Sequence, residues 1–376
     1  MGKKIVFVGL SGGVDSAVSA AILQKQNYVV VGVFIRTWHP EFLECNEEEE
    51  RRDAMRVAAY LDIPFLTFDL EKVYKKEVAD YMISEYKAGR TPNPDVMCNK
   101  HVKFGAFLEK AISMGADYVA TGHYAQIGCL SGENFFKTAP SESKGQGTHT
   151  FFKNSLRKGG DSSRDQSYFL WTLKQEQLNK ILFPIGHLKK TEVRKLARKF
   201  KLPVAEKKDS QGICFLGAVD LKEFLKHYIK EKKGKVLNEK GEELGYHNGA
   251  VFHTLGERHG FTITKKNPND GAYYVTGKDM KKNILIVFKD KNYPPASFDN
   301  GFCLSLKEVN WISEIPKPNK KYTAQIRYHG ESLICNIKCM TSDIAQVIFD
   351  EPVLVASGQS CVIYDKDICL GGGVIV

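Results

Sequence analysis

Two cysteines set among cations have the most to offer chemically. Cys98 lies in Gly89-Arg90-Thr91-Pro92-Asn93-Pro94-Asp95-Val96-Met97-Cys98-Asn99-Lys100. Its two prolines fix the backbone ahead of Asp95 and the thiol. Lys100, His101 and Lys103, with a helix predicted from about Val102, supply the positive potential that lowers a thiol pKa and makes a nucleophile. Cys214 lies in Lys207-Lys208-Asp209-Ser210-Gln211-Gly212-Ile213-Cys214-Phe215, again with cations and a glycine. A lone cysteine in a proline-rich turn is more often a small buried residue. Two in such settings, 116 residues apart, suggest instead a sulfur carrier and an attacking thiol that meet in the fold. A zinc site would show close pairs such as Cys-x-x-Cys, and none is present, so no protein metal site is expected. Cys335 and Cys339 fall at i and i+4 of a predicted strand and are expected only to pack. Cys45, Cys129, Cys303, Cys361 and Cys369 have no chemical context.

The second chemical feature is Gly9-Leu10-Ser11-Gly12-Gly13-Val14-Asp15-Ser16, between a predicted first strand and first helix. Glycines let the backbone turn its N–H groups onto a phosphate, the helix start adds a favourable dipole, and two serines add donors. The loop contains no lysine and matches neither the Gly-Lys-Ser/Thr ending nor the Gly-x-Gly-x-x-Gly fingerprint. A bare connecting turn would leave the serines and Asp15 without a purpose. Asp15 is placed to accept an amine or to help hold magnesium.

The elements that must position these residues follow from periodicity. From Lys3 to Phe200, short β-branched runs (Ile5 to Val8, Val29 to Ile35, Phe65 to Leu70) alternate with amphipathic stretches (Ala17 to Gln26, Glu49 to Leu61, Val73 to Tyr86). Gly89 and Gly115 stand where helices should stop. The pattern predicts a doubly wound parallel α/β sheet with ligands at the strands' carboxyl ends. Leu130 to Asp165, rich in Ser, Gly and Lys, reads as a loop. Helical signals resume near Gln175 and from Thr191 to Phe200, and Asp220 reads as the N-cap of a helix that puts Leu221, Phe224, Leu225, Tyr228 and Ile229 on one face. After Lys235 short strands follow, and beyond the linker Tyr293-Pro294-Pro295-Ala296-Ser297 the candidates are Phe302 to Trp311, Tyr322 to Tyr328, Leu333 to Met340, Ala345 to Phe349, Cys361 to Tyr364 and Val374 to Val376. They suggest a small barrel or sandwich.

Composition sets the outer bounds. The 376 residues predict two or three domains at about 150 residues each. With 43% hydrophobic and 26% charged residues the chain is neither disordered nor a disulfide-stapled miniature. No apolar run reaches the roughly 20 residues that span a bilayer and the start lacks a signal peptide's core, so no membrane association and a cytoplasmic location are expected, with most of the nine cysteines reduced. The 54 basic against 44 acidic side chains leave a charge of +10, which suits an anionic partner such as nucleic acid and equally serves solubility.

Ser-Gly-Gly-x-Asp-Ser resembles the loop of the ATP pyrophosphatases, which cleave ATP between its α and β phosphates and adenylate an oxygen of a second substrate. Taken with Thr91 to Asp95 and Cys98, Thr121-Gly122-His123-Tyr124, Arg164 to Phe169, and Gly212 to Phe215, the chain resembles the MnmA-type tRNA-specific 2-thiouridylases. The likeness continues to the end through His253 to Arg258, Arg327-Tyr328, Ser357-Gly358-Gln359 and Cys369 to Gly373. It implies three domains: 1–215 for adenylation with an insertion near 130–163, 216–292 for tRNA binding, and a β-barrel over 293–376. It further implies that Gly9, Leu10, Ser11, Gly12, Gly13, Val14, Asp15, Ser16, Ile35 and Gly122 hold ATP with Mg2+, Ile35 standing where the family usually has methionine. Cys214 would carry a persulfide from a cysteine desulfurase or sulfur-relay protein, and Cys98 would release its sulfur or form a disulfide with Cys214. Asp95 would act as acid or base beside the wobble uridine. Asn93, Pro94, Asp95, Arg164, Asp165, Gln166, Arg327 and Tyr328 would meet the tRNA anticodon region, with lysine-rich stretches at Lys189 to Lys201, Lys226 to Lys235 and Lys278 to Lys291 following its backbone. Two other readings stand beside this one: an amidotransferase acting on a small molecule, for which both thiols are expendable, and a tRNA-binding protein without catalysis.

Overall fold

The computed structural model describes residues 2–43, 46–129, 153–209, 220–265, 271–289 and 303–376. Cys214 with its flanking glycine, Cys45, the Tyr293 to Ser297 linker and residues 130–152 of the expected insertion lie outside the described residues.

Strands β1 (Ile5–Gly9), β2 (Val29–Arg36), β3 (Phe65–Asp69) and β4 (Tyr118–Ala120) lie parallel; a hairpin of β5 (Ala125–Cys129) and β6 (Asn154–Lys158) then leaves this sheet, and β7 (Ile181–Leu182) completes it in the order β3-β2-β1-β4-β7. Val6 and Val8 point to one face and Phe7 to the other, yet all three are buried, because helices cover both sides. The covering helices include α1 (Val14–Lys25), α2 (Glu47–Leu61), and α3 (Glu71–Tyr74), which continues through an i→i+5 bonded stretch into α4 (Tyr81–Lys87). A second long helix starts as α5 (Pro94–Met97), is i→i+5 bonded over Cys98–Phe107, and ends as α6 (Leu108–Ser113). Both long helices stop at the expected glycines, Gly89 at φ +78° and Gly115 at φ +93°. The doubly wound sheet is therefore present.

The helix expected from Val102 begins eight residues earlier, at Pro94. Its second proline is the first residue of the helix rather than part of a turn, because a missing N–H costs nothing there. Asn93 caps the end, its side-chain oxygen accepting the Val96 N–H at 3.2 Å. Cys98 thus sits inside a helix with 0% exposure, not in an open turn. The supposed loop from Leu130 to Asp165 also needs correction, since Asn154–Lys158 is strand β6. Its sequence, Asn-Ser-Leu-Arg-Lys, has little intrinsic strand preference, and pairing with neighbours decides its state. Further on are α7 (Gln175–Leu178), α8 (Lys190–Lys199) and α9 (Leu221–Lys226). Asp220 caps α9 as expected, accepting the Lys222 and Glu223 N–H groups at 2.8 and 3.2 Å, but the helix ends before Tyr228 and Ile229.

The middle sheet holds β8 (Gly234–Leu237), β9 (Glu243–His247), β10 (Phe261–Ile263), β11 (Tyr274–Asp279) and β12 (Ile284–Phe288), ordered β10-β9-β8-β12-β11 around Val236, Val275, Leu285 and Val287. The last unit has β13 (Cys303–Trp311), β14 (Tyr322–Gln325), β15 (Leu333–Cys339), β16 (Ala345–Phe349), β17 (Ser360–Asp365) and β18 (Ile368–Ile375). Pairing of β13 with β18 closes it into a barrel. Strand β18 is longer than expected because its glycines read as a turn. A Cβ on Gly371 would lie 1.9 Å from the Asn310 carbonyl oxygen, and one on Gly372 2.4 Å from that of Cys361, so glycine lets these backbones approach. Cys335 packs inside, whereas Cys339, at the strand's end, is exposed, contrary to the expectation that both pack.

Strand β6 ties the first unit to the barrel, its Arg157 and Leu156 facing Ile368 and Cys369 of β18. Around this junction the Tyr168 hydroxyl donates to the Ser360 carbonyl at 2.9 Å, the Trp171 indole N–H to the Ser360 hydroxyl at 3.1 Å, and the Asn310 amide to the Trp171 carbonyl at 2.7 Å. Among the described residues no helix is long and apolar enough to cross a membrane. Leu156 is fully buried at the tie. Leu156→Ala is expected to cost about 2–5 kcal/mol, seen as a lower urea midpoint, with the barrel becoming the first target of limited proteolysis; an unchanged midpoint and cleavage pattern would contradict its role as a tie.

Candidate functional site

The loop between β1 and α1 takes a shape only small residues allow. Gly12 has φ +70°, and a Cβ there would lie 2.4 Å from the Glu50 carbonyl oxygen. The Ser11 N–H donates to the Ser16 hydroxyl oxygen at 3.2 Å, and that hydroxyl donates to the Gly13 carbonyl at 3.1 Å. Gly13 is the N-cap of α1 and offers no side chain to its first-turn amides, which leaves that turn suited to an anion. Gly122, just after β4, packs on this turn: a Cβ would lie 2.8 Å from the Ser16 nitrogen. Gly9, Leu10, Ser11, Asp15, Ser16, Ile35 and Gly122 line one cleft, joined by Glu50, Lys103, Thr121, His123 and Gln166. Gly12, Gly13 and Val14 are not lining residues; Val14 is buried in the core below.

The cleft's charges are paired across distant segments. Both Asp15 carboxylate oxygens lie 2.8 Å from Lys190 Nζ, and the Tyr124 hydroxyl donates to one of them at 2.7 Å. Burial, then the Asp15 carboxylate, raises the Tyr124 pKa far above its usual value, so the phenol keeps its proton. Lys190 also meets Asp209 at 2.9 Å, where Arg194 and Arg164 approach at 2.6 and 3.1 Å. Burial works to raise the Asp209 pKa, but these cations outweigh it and hold the carboxyl below its ordinary range. His123, buried and 2.7 Å from the Thr121 hydroxyl through Nδ1, is pushed well below the usual imidazole value by burial and then by Lys103. It is neutral near pH 7.

The Asn93-Pro94-Asp95 segment is held at its approach by both the barrel and the middle unit. The Thr91 N–H donates to the Ser357 carbonyl at 2.8 Å, and the Gln359 amide donates to the Thr91 carbonyl at 2.9 Å. Between those barrel residues Gly358 has φ +92°, with Thr91 O 3.0 Å from where a Cβ would sit. From the middle unit the Thr254 hydroxyl meets that of Thr91 at 3.1 Å, and Lys278 Nζ donates to the Gly89 and His253 carbonyls at 2.8 and 2.7 Å. Beyond the cap, the Asn99 amide donates to the Asp95 carbonyl at 3.0 Å. Cys98 and the cleft-lining Lys103 lie on the same i→i+5 bonded stretch of helix. The structure thus brings the phosphate loop, Ile35, Gly122, Gln166 and the Cys98 helix together; Cys214 lies outside the described residues.

Of the residues expected to meet RNA, Arg164 is exposed while paired with Asp209. Asp165 accepts from the Gly159 N–H, the Ser167 N–H and the Ser167 hydroxyl, and so shapes its own loop. Gln166 accepts the Tyr124 N–H at 3.0 Å. Arg327 and Tyr328 follow β14 in a turn closed by the Gly330 N–H on the Arg327 carbonyl, rather than lying on a barrel strand. Arg327 is exposed, and Tyr328 packs on Phe169 with ring centroids 4.4 Å apart. Lys190 and Lys278, expected among the lysines that follow the RNA backbone, are instead turned into the protein, onto Asp15 and onto the Gly89 and His253 carbonyls, and Asp209, for which no role was expected, joins Lys190.

Residues 4–218 match the family model described as tRNA methyl transferase HUP domain, 222–289 that of the tRNA methyl transferase PRC-barrel domain, and 302–375 the aminomethyltransferase beta-barrel domain. The chain is a HUP-domain protein with two appended β units. Curated proteins named tRNA-specific 2-thiouridylase MnmA match it end to end: that of Streptococcus mutans is 43% identical over 99% of this chain and 95% of its own, and that of Thiobacillus denitrificans 41% over 98% and 99%. The chain belongs to the tRNA-specific 2-thiouridylase family. A solved 4-thiouridine synthetase–RNA complex with bound ATP covers 57% of this chain and 45% of its own at 19% identity and a TM-score of 0.33, a likeness too slight to add to this.

Burial pushes Lys278 down to about 8, against the pull of Glu257 in the other direction. The unfolded lysine titrates near 10.5, so between the two values the unfolded chain holds a proton the native one has shed, and native stability rises with pH. Urea midpoints of wild type and Lys278→Met, compared at pH 7.5 and 10.5, are expected to diverge in favour of wild type as pH rises; a difference that stays flat would contradict the burial of this amine.

Proposed function

We propose that this protein replaces the C2 oxygen of the wobble uridine in tRNA anticodons with sulfur, using ATP. Two observations support the reading: the helix that bears Cys98 also carries Lys103, which lines the cleft of the phosphate loop, and the chain's relatives carry the thiouridylase name along their whole length. A carbonyl oxygen leaves badly, and adenylation converts it into a good leaving group, so each of two steps has a manageable barrier. The uridine O2 attacks the α phosphorus and pyrophosphate departs. The amide donors at the start of α1 and the serines of the loop would hold the phosphates, and Ile35 would meet the adenine. Among the described residues no cluster of three or more acidic, histidine or cysteine side chains suits a metal. Magnesium, if used, would enter on the triphosphate, with Asp15 and Glu50 the carboxylates within reach.

Cys214 would bring sulfur as a persulfide. Cys98 attacks the Cys214 sulfur, the S–S bond of the persulfide breaks, and hydrosulfide leaves to attack C2 and expel AMP. Alternatively the terminal sulfur attacks C2 first, and Cys98 then frees the thiolated base. Either route ends in a Cys98–Cys214 disulfide, which a thiol reductant must reopen by supplying two electrons. Asp95 would move the proton at the base, and Asn93 to Asp95, Arg164 to Gln166 and Arg327-Tyr328 would seat the anticodon, Asp165 through the shape of its loop. An anticodon base is single-stranded, so extruding it costs little. A cytoplasmic location follows from this substrate. Domain borders near 215 and 292 belong to this reading, supported by the family models' matches to 4–218, 222–289 and 302–375.

The test is to incubate the protein with ATP, magnesium, a persulfide donor and unmodified tRNA, then weigh the nucleosides. Wild type is expected to form 2-thiouridine, while Cys98→Ser and Cys214→Ser form none yet bind ATP within about 2-fold of wild type, since neither thiol belongs to the phosphate loop. Thiolation by Cys214→Ser would refute the persulfide role, and full activity of both variants on a small amide acceptor would favour the amidotransferase reading.

A further inference from the structure

A carboxylate in the first turn of a phosphate-binding helix is an electrostatic contradiction. Asp15 lines the cleft where the triphosphate belongs, and an unscreened negative charge there would repel it. The structure resolves this with a cation that the loop itself lacks: Lys190, 175 residues further on, sits 2.8 Å from both Asp15 oxygens with only 13% of its side chain exposed. Its placement is built. Lys190 opens α8, its backbone N–H is held by Asp161 Oδ2 at 2.9 Å, and the preceding turn packs so closely that a Cβ on Gly160 would lie 2.3 Å from the His187 carbonyl oxygen. Its ammonium lies 5.9 Å from the Tyr124 ring centroid and also touches Asp209, which Arg164 and Arg194 already neutralise. Lys190 therefore has a second carboxylate it can give up without leaving that charge unpaired, and a flexible four-carbon stem with three N–H donors to follow a new anion.

We propose that Lys190 is the cation that meets the β and γ phosphates of the nucleotide, and hence the departing pyrophosphate, standing in for the lysine missing from the loop. This rests on the ATP reading above. Asp15 aims the ammonium, and the incoming polyphosphate takes the place of Asp209 on it. The charge serves the β and γ phosphates, so its removal separates nucleotides by their phosphate number. A lysine that merely braced Asp15 and Asp209 would affect all adenine nucleotides alike.

The test measures binding of ATP, inorganic pyrophosphate and AMP to the full chain by titration calorimetry in magnesium, for wild type, Lys190→Met and Lys190→Arg, with thermal melts to check folding. Lys190→Met is expected to weaken ATP and pyrophosphate at least 10-fold and AMP less than 3-fold, and Lys190→Arg to recover most of the loss. Equal losses for ATP and AMP, or no loss for either, would overturn the assignment. If Lys190→Met fails to fold, the same comparison on Lys190→Arg decides it: unchanged ATP affinity with weakened AMP would contradict the role. Failure of wild type to bind ATP would instead sink the functional reading, which keeps the two separable.

Discussion

The backbone of Thr91 is the constraint on which the rest depends. Its N–H and carbonyl are taken by Ser357 and Gln359 of the barrel and its hydroxyl by Thr254 of the middle unit, while Lys278 pins Gly89 two residues before it. Pro92 and Pro94 then limit the chain, and the Asn93 cap starts the helix at a fixed residue. These bonds cross between units far apart in sequence, so all three units contribute to holding the segment that carries Asp95 and Cys98. Each bond is modest, near 1 kcal/mol, but together they fix a register that no single unit could.

The hydrophobic packing explains why such a junction can be rigid. Phe104 and Phe107, on the Cys98 helix, are fully buried against the first sheet, and Tyr168, Leu170 and Trp171 carry the same core to the barrel residues Val362, Tyr364 and Val374. Ser360, which enters this junction, is paired with Tyr168 and Trp171. The first unit and the barrel therefore share a core, with β6 continuing the barrel's sheet. The middle unit keeps a small core of its own around Val236 and Leu285, and it is joined to the first unit by Phe252 in the main core and by the hydrogen bonds of Thr254 and Lys278.

What could be read from the sequence followed from local rules. The alternation of β-branched and amphipathic runs revealed the parallel sheet, and the glycines and serines of residues 9–16 revealed the anion loop, because both depend on neighbours in the chain. Ile35 and Gly122 were accessible only through family resemblance, since nothing local marks an isoleucine at a strand end as a cleft wall. The start of the Cys98 helix was misplaced because proline reads as a breaker until its position is known to be the first turn. Strand β6 and the Gly371 to Gly373 part of β18 were missed for a related reason: their conformation is decided by partners and by close backbone approach, against intrinsic preference. Lys190 and Lys278 act across 175 and 189 residues in their contacts with Asp15 and Gly89, a range that spacing does not report.

The proposed function depends on sulfur passing between Cys98 and Cys214. The most direct measurement loads the full chain with persulfide, allows a single turnover with ATP and unmodified tRNA, alkylates the remaining thiols and maps the peptides by mass. One disulfide-linked Cys98–Cys214 peptide pair is expected for each tRNA thiolated, and none when ATP is withheld. Thiolated tRNA recovered alongside Cys98 and Cys214 that are both alkylated would contradict it.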